Sequence, residues 1–269
     1  MRLLRFWPLL ALLVVTPLIS PTAQDDAIET EALIERILAV EQQQRAQISD
    51  LILDTEFVEG ELGDDGEFDE KIRLIKRVSI LYHPDTTFFH TEYLEYYEYG
   101  ELREPKDLER EAKDREEQAR KRKAKNIAWP MLTPFYEEKR DDYSYSYLGV
   151  TDREIEGYTC YHIRVEANRK DDQLINGDFY FETDGFNLVR VDFSPAKLVK
   201  KAMFRLSELK LSIQFRPTPD GLWLPSQFDA SGKGKAALFF GVEFASTERY
   251  RNPQINTGLT VDFFEVENE

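Results

Sequence analysis

The pattern of hydrophobic and polar residues divides the chain into one amphipathic helix and a long series of strands. In residues 25–49, apolar residues recur at near-helical spacing and polar residues fill the opposite face, so a helix is predicted. From residue 51 the period changes to two, which is the spacing of half-buried strands. Asp184-Gly185 and Asp220-Gly221 are typical of the tight turns that join such strands.

The alternating segments predict about eleven strands joined mostly by short turns. They cover residues 51–57, 70–83, 88–99, 143–147, 154–167, 177–183, 187–193, 203–215, 222–230, 236–250 and 260–266. Two segments, 70–83 and 236–251, exceed the usual strand length of about five or six residues, and long strands favour a barrel-like wrap. The predicted fold is mainly β, of α+β type: a large curled antiparallel sheet that forms an incomplete barrel, with an N-terminal helix and a charged helical insert.

The insert comprises residues 102–126, which have high helix propensity and few apolar residues, namely Leu108, Ala112 and Ala119. Its acidic residues concentrate at the start and its basic residues at the end, which complements the helix dipole. One interpretation is a solvated helix that joins two strands. The other is a cover over the mouth of the sheet, or a docking arm for an acidic partner or anionic lipid head groups.

Several strands carry one-sided apolar ladders that require a cover. The amphipathic helix at residues 25–49 is only ~37 Å long, so it covers part of a sheet of this size. Either the sheet packs on itself, or an apolar trough remains for an acyl chain or another hydrophobic ligand. The residues predicted to line such a trough are Ile72, Leu74, Val78, Ile80, Tyr82, Phe179, Phe181, Val191, Phe193, Leu209, Leu211, Ile213, Phe215, Phe240, Val242 and Phe244.

Residues 1–23 have the layout of a cleavable signal peptide. Arg2 and Arg5 precede an apolar stretch of about a dozen residues, and small residues and then acids follow. The stretch is short for a membrane span, although an uncleaved N-terminal anchor is the alternative. We therefore expect an exported, periplasmic protein with a single domain at residues 24–269.

Composition excludes some functions and leaves catalysis without a visible motif. The 35 Lys and Arg residues against 51 Asp and Glu residues give a net charge of −16, which disfavours nucleic acid as a partner. The single cysteine, Cys160, excludes an intramolecular disulfide and a cysteine-based metal site. Its i, i+2 spacing from His162 is poor for direct proton transfer.

No catalytic residue, metal site or cofactor is predicted, and the protein is not expected to be an enzyme. If residues 84–87 form a four-residue loop, His83 pairs with Phe88 and His90 pairs with Leu81. The two imidazoles would then lie on one face, but nothing in the spacing supplies a third metal ligand. A hydrolase that uses carboxylates outside the known motifs stays open as a further alternative.

The order of parts resembles the periplasmic outer-membrane lipoprotein-sorting family. Residues 156–163, EGYTCYHI, resemble one strand of that family, and residues 177–192 resemble its hairpin. Residues 222–226, LWLPS, match a common segment, and residues 250–252 and 262–264 resemble the closing segment. The resemblance covers most of residues 48–269 and carries over no ligand residue.

The resemblance implies a half-open antiparallel barrel of the lipoprotein-carrier type, with helices over its concave face. It implies an exported binding protein that transports lipoprotein acyl chains or another hydrophobic lipid, in the manner of a chaperone. A membrane protein or another periplasmic protein is the second kind of partner that we expect. The alternative is a non-catalytic sensor or interaction module of the same fold that acts through the helix at residues 102–126.

Overall fold

The computed structural model describes residues 23–63, 67–83, 86–121, 130–198, 200–201, 204–236 and 240–266. Residues 1–22 of the predicted signal peptide and the last residues of the charged insert lie outside these ranges. The strands in the described ranges are β1 Asp50–Leu62, β2 Phe68–Tyr82, β3 Thr87–Glu98, β4 Glu101–Leu102, β5 Tyr143–Val150, β6 Cys160–Ala167, β7 Ile175–Glu182, β8 Leu188–Pro195, β9 Lys200–Lys201, β10 Phe204–Pro217, β11 Trp223–Ala236 and β12 Phe240–Ile255. The helices are α1 Ala23–Arg45, α2 Pro105–Lys121 and α3 Val261–Val266, with short 3-10 helices at Pro130–Phe135 and Glu137–Asp142.

All of these strands belong to one antiparallel sheet. Their order is β4-β3-β2-β1-β12-β11-β10-β8-β7-β6-β5, and the short β9 pairs with β10 beside this path. Long-range pairing of β1 with β12 joins the first strands of the chain to the last one. The two edges, β4 and β5, leave the sheet open within the described residues. The predicted fold class is confirmed.

The register aligns one row of side chains across ten strands. From β5 to β3 the row contains Tyr147, Ile163, Phe179, Val191, Ile213, Phe228, Glu248, Phe57, Leu74 and Tyr96. Nine of these ten residues are apolar or aromatic, and Glu248 is the charged exception. We call the face that carries this row the helix-covered face.

Two helices cover this face and the third covers the opposite one. Leu33, Ile34 and Ile37 of α1 belong to the hydrophobic core that contains Phe179 and Val191 of the row. The charged helix α2 lies over the β1–β3 end, where Arg115 contacts the Phe57 ring. On the opposite face, α3 packs its aromatic rings against β3.

The predicted strand at residues 260–266 is wrong, because the described part of this segment forms α3. Its two adjacent rings both contact β3: Phe264 lies 5.7 Å from Phe88, and Phe263 lies 5.7 Å from His90, between ring centres. Strand geometry would send adjacent side chains to opposite faces, whereas one helical turn turns both toward the sheet.

Two finer predictions also need correction. The expected pairing of the histidines is wrong by two residues, since Leu81 pairs with Phe88 and Ser79 pairs with His90. The strand predicted from residue 154 begins only at Cys160. Before it, Glu156 and Gly157 adopt left-handed φ values of 52° and 91°, and this turn interrupts the strand.

Candidate ligand-binding site

A narrow apolar cleft separates the second half of α1 from the sheet. Its cavity volume is about 60 Å³, and the unfilled space reaches about 660 Å³ when the solvent-open mouth is included. Its apolar walls are formed by Ile37, Val40 and Ile48 from the helix side, and by Tyr82, Phe181, Phe186, Leu188, Phe215 and Trp223 from the sheet side. Walls of this composition, with few polar groups, are typical of sites for hydrophobic ligands.

The β7–β8 hairpin supplies Phe186 to the cleft from a strained turn position. Phe186 has a left-handed φ of 63°, and its ring stacks on Tyr161 at 5.5 Å between ring centres. The buried carboxylate of Glu182 holds the turn by accepting hydrogen bonds from the backbone amides of Asp184 (2.7 Å), Gly185 (2.8 Å) and Asn187 (3.2 Å). This network fixes an aromatic residue in a backbone conformation that residues other than Gly rarely adopt.

Gln44 joins α1 to two strand ends across the cleft. Its side-chain oxygen accepts a 2.8 Å hydrogen bond from the backbone N–H of Trp223, and its Nε2 donates to Oδ1 of Asn187. The Asn187 amide in turn donates to Glu182 at 2.7 Å. One helical side chain therefore sets the width of the cleft.

The mouth of the cleft carries one acid and one base, one helical turn apart on α1. Nη1 of Arg45 lies 3.9 Å from Oε1 of Glu41, and the Arg45 side chain is 52% exposed. Tyr136 donates a 3.2 Å hydrogen bond to Glu41. Burial raises the pKa of Glu41, while the Tyr136 hydrogen bond and the Arg45 charge lower it in part. Burial, followed by the Glu41 charge, raises the pKa of Tyr136 to about 12.

The register places fifteen of the sixteen predicted trough residues on the helix-covered face, and the side chain of the sixteenth, Phe240, lies outside what the structure describes. Of these residues, Tyr82, Phe181 and Phe215 line the cleft. Phe179 and Val191, by contrast, are fully buried in the core that α1 forms with the sheet. The protein's own side chains therefore fill that part of the face, and a ligand role for the sixteen residues stays a prediction.

The β1–β3 end of the same face contains a half-buried ion pair that the sequence analysis did not identify. Nζ of Lys76 lies 2.7 Å from Oε1 of Glu248, and the Tyr250 hydroxyl donates to Glu248 at 3.4 Å. Thr55 pairs with both Lys76 and Tyr250 in the register and is only 2% exposed, and its hydroxyl has no hydrogen-bond partner among the described residues. The predicted apolar trough is therefore interrupted by charge at this end.

Sequence reasoning also missed most of the cleft. Helical spacing puts Gln44 on the polar face of the predicted helix and gives no role to Glu41 or Arg45, and alternation gives no reason to select Phe186 or Asn187 from a turn. Trp223 lies in the LWLPS segment, which carried the family resemblance but no role. The one sequence feature that pointed to the cleft was the hairpin signal Asp184-Gly185 followed directly by the aromatic residue Phe186.

The described residues contain no group of three or more His, Cys, Asp or Glu side chains arranged to hold a metal ion. The two histidines of the β2–β3 hairpin contact aromatic rings: His83 contacts Phe88, and His90 contacts Phe263. None of the helices in the described ranges is both long enough and apolar enough to span a bilayer.

Comparison with known proteins gives a partial family match and similar solved structures. No curated protein matches the sequence. The model of a family of unknown function, DUF5686, matches residues 123–252, which include β5 to β8 and most of β10 to β12.

Three solved structures similar to this chain come from different bacteria. A domain described as an outer membrane lipoprotein-sorting protein, from Vibrio parahaemolyticus, is 12% identical, with 87% of this chain and 98% of that chain covered and a TM-score of 0.40. A DUF1329 family protein from Desulfovibrio piger is 12% identical, with 88% and 98% covered and a TM-score of 0.42. The LolA superfamily protein NE2245 from Nitrosomonas europaea is 9% identical, with 86% and 96% covered and a TM-score of 0.35. One of the three is described as a lipoprotein-sorting domain, and ligand and partner have to be argued from this chain's own geometry.

Proposed function

We propose that this protein is an exported binding protein that carries the apolar chain of a lipid or lipoprotein in the cleft between α1 and the sheet. The cleft itself carries the proposal: nine apolar or aromatic residues face unfilled space, and four polar residues lie among them. An apolar surface that stays unfilled beside a packed core is favourable to fill with a hydrophobic guest.

The neighbouring core supports a fixed site rather than a general apolar surface. Ile37 and Phe215 each contribute both to the packed core and to the cleft wall, so the wall residues are held by the core behind them. A preformed wall lowers the cost of ordering side chains when a ligand binds. Export follows from residues 1–23, whose layout is that of a signal peptide.

The direct test is binding of an uncharged fluorescent alkyl probe to the purified protein, together with mass spectrometry of lipids that co-purify with it. We expect saturable binding of about one probe per chain. Val40→Trp should reduce probe affinity at least tenfold, because the indole would occupy the cleft. Leu94→Trp, at a residue that is 38% exposed on β3, is the matched control and should bind normally.

Two outcomes would contradict the proposal. Protein that neither binds the probe nor carries co-purified lipid would exclude a carrier role. Equal probe affinity of the Val40 and Leu94 variants would place the bound probe outside the cleft.

The second candidate is an interaction module that acts through α2. The observation in its favour is the outer face of α2, where Lys106, Arg110 and Lys113 are exposed together with acidic residues. Reversing these three charges to Glu should abolish capture of a purified partner and leave probe binding intact. A partner that binds the reversed variant equally well would contradict this candidate.

A further inference from the structure

The cleft mouth carries a specificity that the apolar walls do not explain. Four polar residues line the cleft: Glu41, Gln44, Arg45 and Asn187. The amides of Gln44 and Asn187 bond to each other and to protein groups on either side. Glu41 and Arg45 are therefore the groups left to meet the polar end of a bound ligand.

Glu41 and Arg45 make a weak pair that a ligand can replace at low cost. Their charged atoms are 3.9 Å apart, which is near the outer limit for an ion pair, and the Arg45 side chain is half exposed. An ion pair at this separation, with one partner half exposed to solvent, contributes little to stability. The pair is nevertheless fixed in place, because Tyr136 hydrogen-bonds Glu41 and both residues lie on α1.

The negative charge of Glu41 and the positive charge of Arg45 at the cleft mouth together favour one class of lipid head group over the others. A purely anionic head that approached Arg45 would also meet Glu41 within a few ångströms, and a purely cationic head at Glu41 would meet Arg45. A zwitterionic head can place its anion against Arg45 and its cation against Glu41, so that every charge is paired.

We propose that the ligand is a single-chain zwitterionic amphiphile, of the lysophospholipid class, whose chain lies in the cleft and whose head group pairs with Arg45 and Glu41. This inference rests on the proposed function and names its ligand class. A single chain suits the narrow space between one helix and one sheet face, which several chains would have to widen.

The experiment measures displacement of the uncharged alkyl probe at neutral pH by four competitors of equal chain length, each below its micelle concentration. The competitors are a lysophosphatidylcholine, a fatty acid, an alkylamine and a fatty alcohol. We expect the lysolipid to displace the probe at a concentration about fivefold or more below that of the other three.

Removing the charge of Glu41 and removing that of Arg45 should change the relative potency of the competitors in opposite directions. Glu41→Gln keeps the capacity to accept the Tyr136 hydrogen bond, and should strengthen displacement by the fatty acid while weakening that by the lysolipid. Arg45→Gln should weaken displacement of the probe by the fatty acid and by the lysolipid, and it should strengthen displacement by the alkylamine. Glu31→Gln on the same helix and Arg110→Gln on α2, whose side chains are 73% and 71% exposed, are the matched controls and should leave the order unchanged.

The outcomes separate this inference from the proposed function. Equal displacement by all four competitors, or a preference for the fatty acid in the unaltered protein, would overturn the zwitterion and leave the carrier role intact. Failure of the uncharged probe to bind at all would overturn both. Fatty alcohol binding that persists in the Glu41 and Arg45 variants shows that the cleft is still folded, so lost discrimination would then be due to charge.

Discussion

The guanidinium carbon of Arg115 on α2 lies 4.9 Å from the centre of the Phe57 ring, in cation–π contact, and Phe57 belongs to the central apolar row of the sheet. Arg115 also pairs with Glu111 at 2.6 Å within the helix and approaches Glu59 at 3.7 Å. Nζ of Lys76 lies 5.6 Å from the same ring. One contact of the charged helix with the sheet is thus an arginine against an aromatic ring.

We expect Arg115→Ala to loosen α2 while leaving the sheet intact. A partly desolvated cation–π contact contributes about 1 kcal/mol, so amide hydrogen exchange in α2 should accelerate about fivefold. The measurement is peptide-level hydrogen exchange of residues 105–121, compared with that of β10 and β11. Arg110→Ala, which removes an exposed arginine paired only locally with Asp107 at 3.0 Å, should leave α2 exchange unchanged. Identical exchange in the two variants would contradict docking through Arg115.

The docking of α2 also shows what the sequence could and could not predict. Alternation placed Phe57 on a strand, and helix propensity placed Arg115 on a helix. Their contact depends on where the chain after β4 returns over the sheet, and no local pattern encodes that path. From the sequence alone, a helix with so few apolar residues was consistent with a solvated linker. The structure shows that its Arg115 contacts Phe57 on the sheet.

The same distinction separates the trough from the cleft. A side-chain period of two was sufficient to place Ile72, Phe179 and Phe244 on one face, because alternation is local to each strand. The cleft needed Gln44 near both Trp223 and Asn187, which are separated from it by 179 and 143 residues along the chain. Such proximity follows from strand order, which the sequence pattern left open.

A buried aspartate closes the junction between α1 and β1, and its ionisation should make folding stability depend on pH. Asp50 accepts hydrogen bonds from the backbone N–H and the hydroxyl of Thr257, both at 2.7 Å, and from the N–H of Gly258 at 3.0 Å. Burial raises the pKa of Asp50, but these hydrogen bonds outweigh it, and the pKa lies below its ordinary value.

Because the pKa is lower in the folded state, the carboxylate stabilises the fold fully above its unfolded pKa of about 3.9, and this contribution is lost as the pH falls through the folded value. Asp50→Asn should therefore lower the free energy of unfolding by about 2 kcal/mol at neutral pH, with a smaller penalty in acid. Urea unfolding between about pH 7 and about pH 2.5 measures this. Asp114→Asn, at an exposed position on α2, is the control. A penalty for Asp50→Asn that stays constant with pH would contradict this role.

The β7–β8 turn should couple stability to ligand binding. Glu182→Ala leaves the amides of Asp184, Gly185 and Asn187 without their acceptor and releases Phe186 from the cleft wall. We expect a loss of about 2–3 kcal/mol in the free energy of unfolding and weaker binding of the alkyl probe. Gly185→Ala should act in the same direction but more weakly, because its added Cβ would lie 2.7 Å from the ends of the Glu182 and Asn187 side chains, which can shift at the expense of their hydrogen bonds.

Chemical denaturation and probe titration on each variant test this coupling. Glu154→Ala, at an exposed position just before β6, is the matched control and should change neither quantity. Destabilisation of Glu182→Ala with unchanged probe affinity would show that the turn supports the fold without shaping the cleft.

The single thiol should be inert in the folded protein. Cys160 is fully buried at the start of β6, and its Sγ donates to the carbonyl of Tyr158 at 3.4 Å. Burial, followed by the nearby Glu182 charge, raises the pKa of the Cys160 thiol to about 12. Since the thiolate is the reactive form, a thiol reagent at about pH 8 should not label the native protein and should label one site per chain after unfolding.

Leu148→Cys introduces a thiol at a residue that is 48% exposed, so this variant should label once when native and twice when unfolded. Rapid labelling of the unaltered native protein would contradict this placement and would show that the Cys160–Glu182 end of the hairpin opens to solvent.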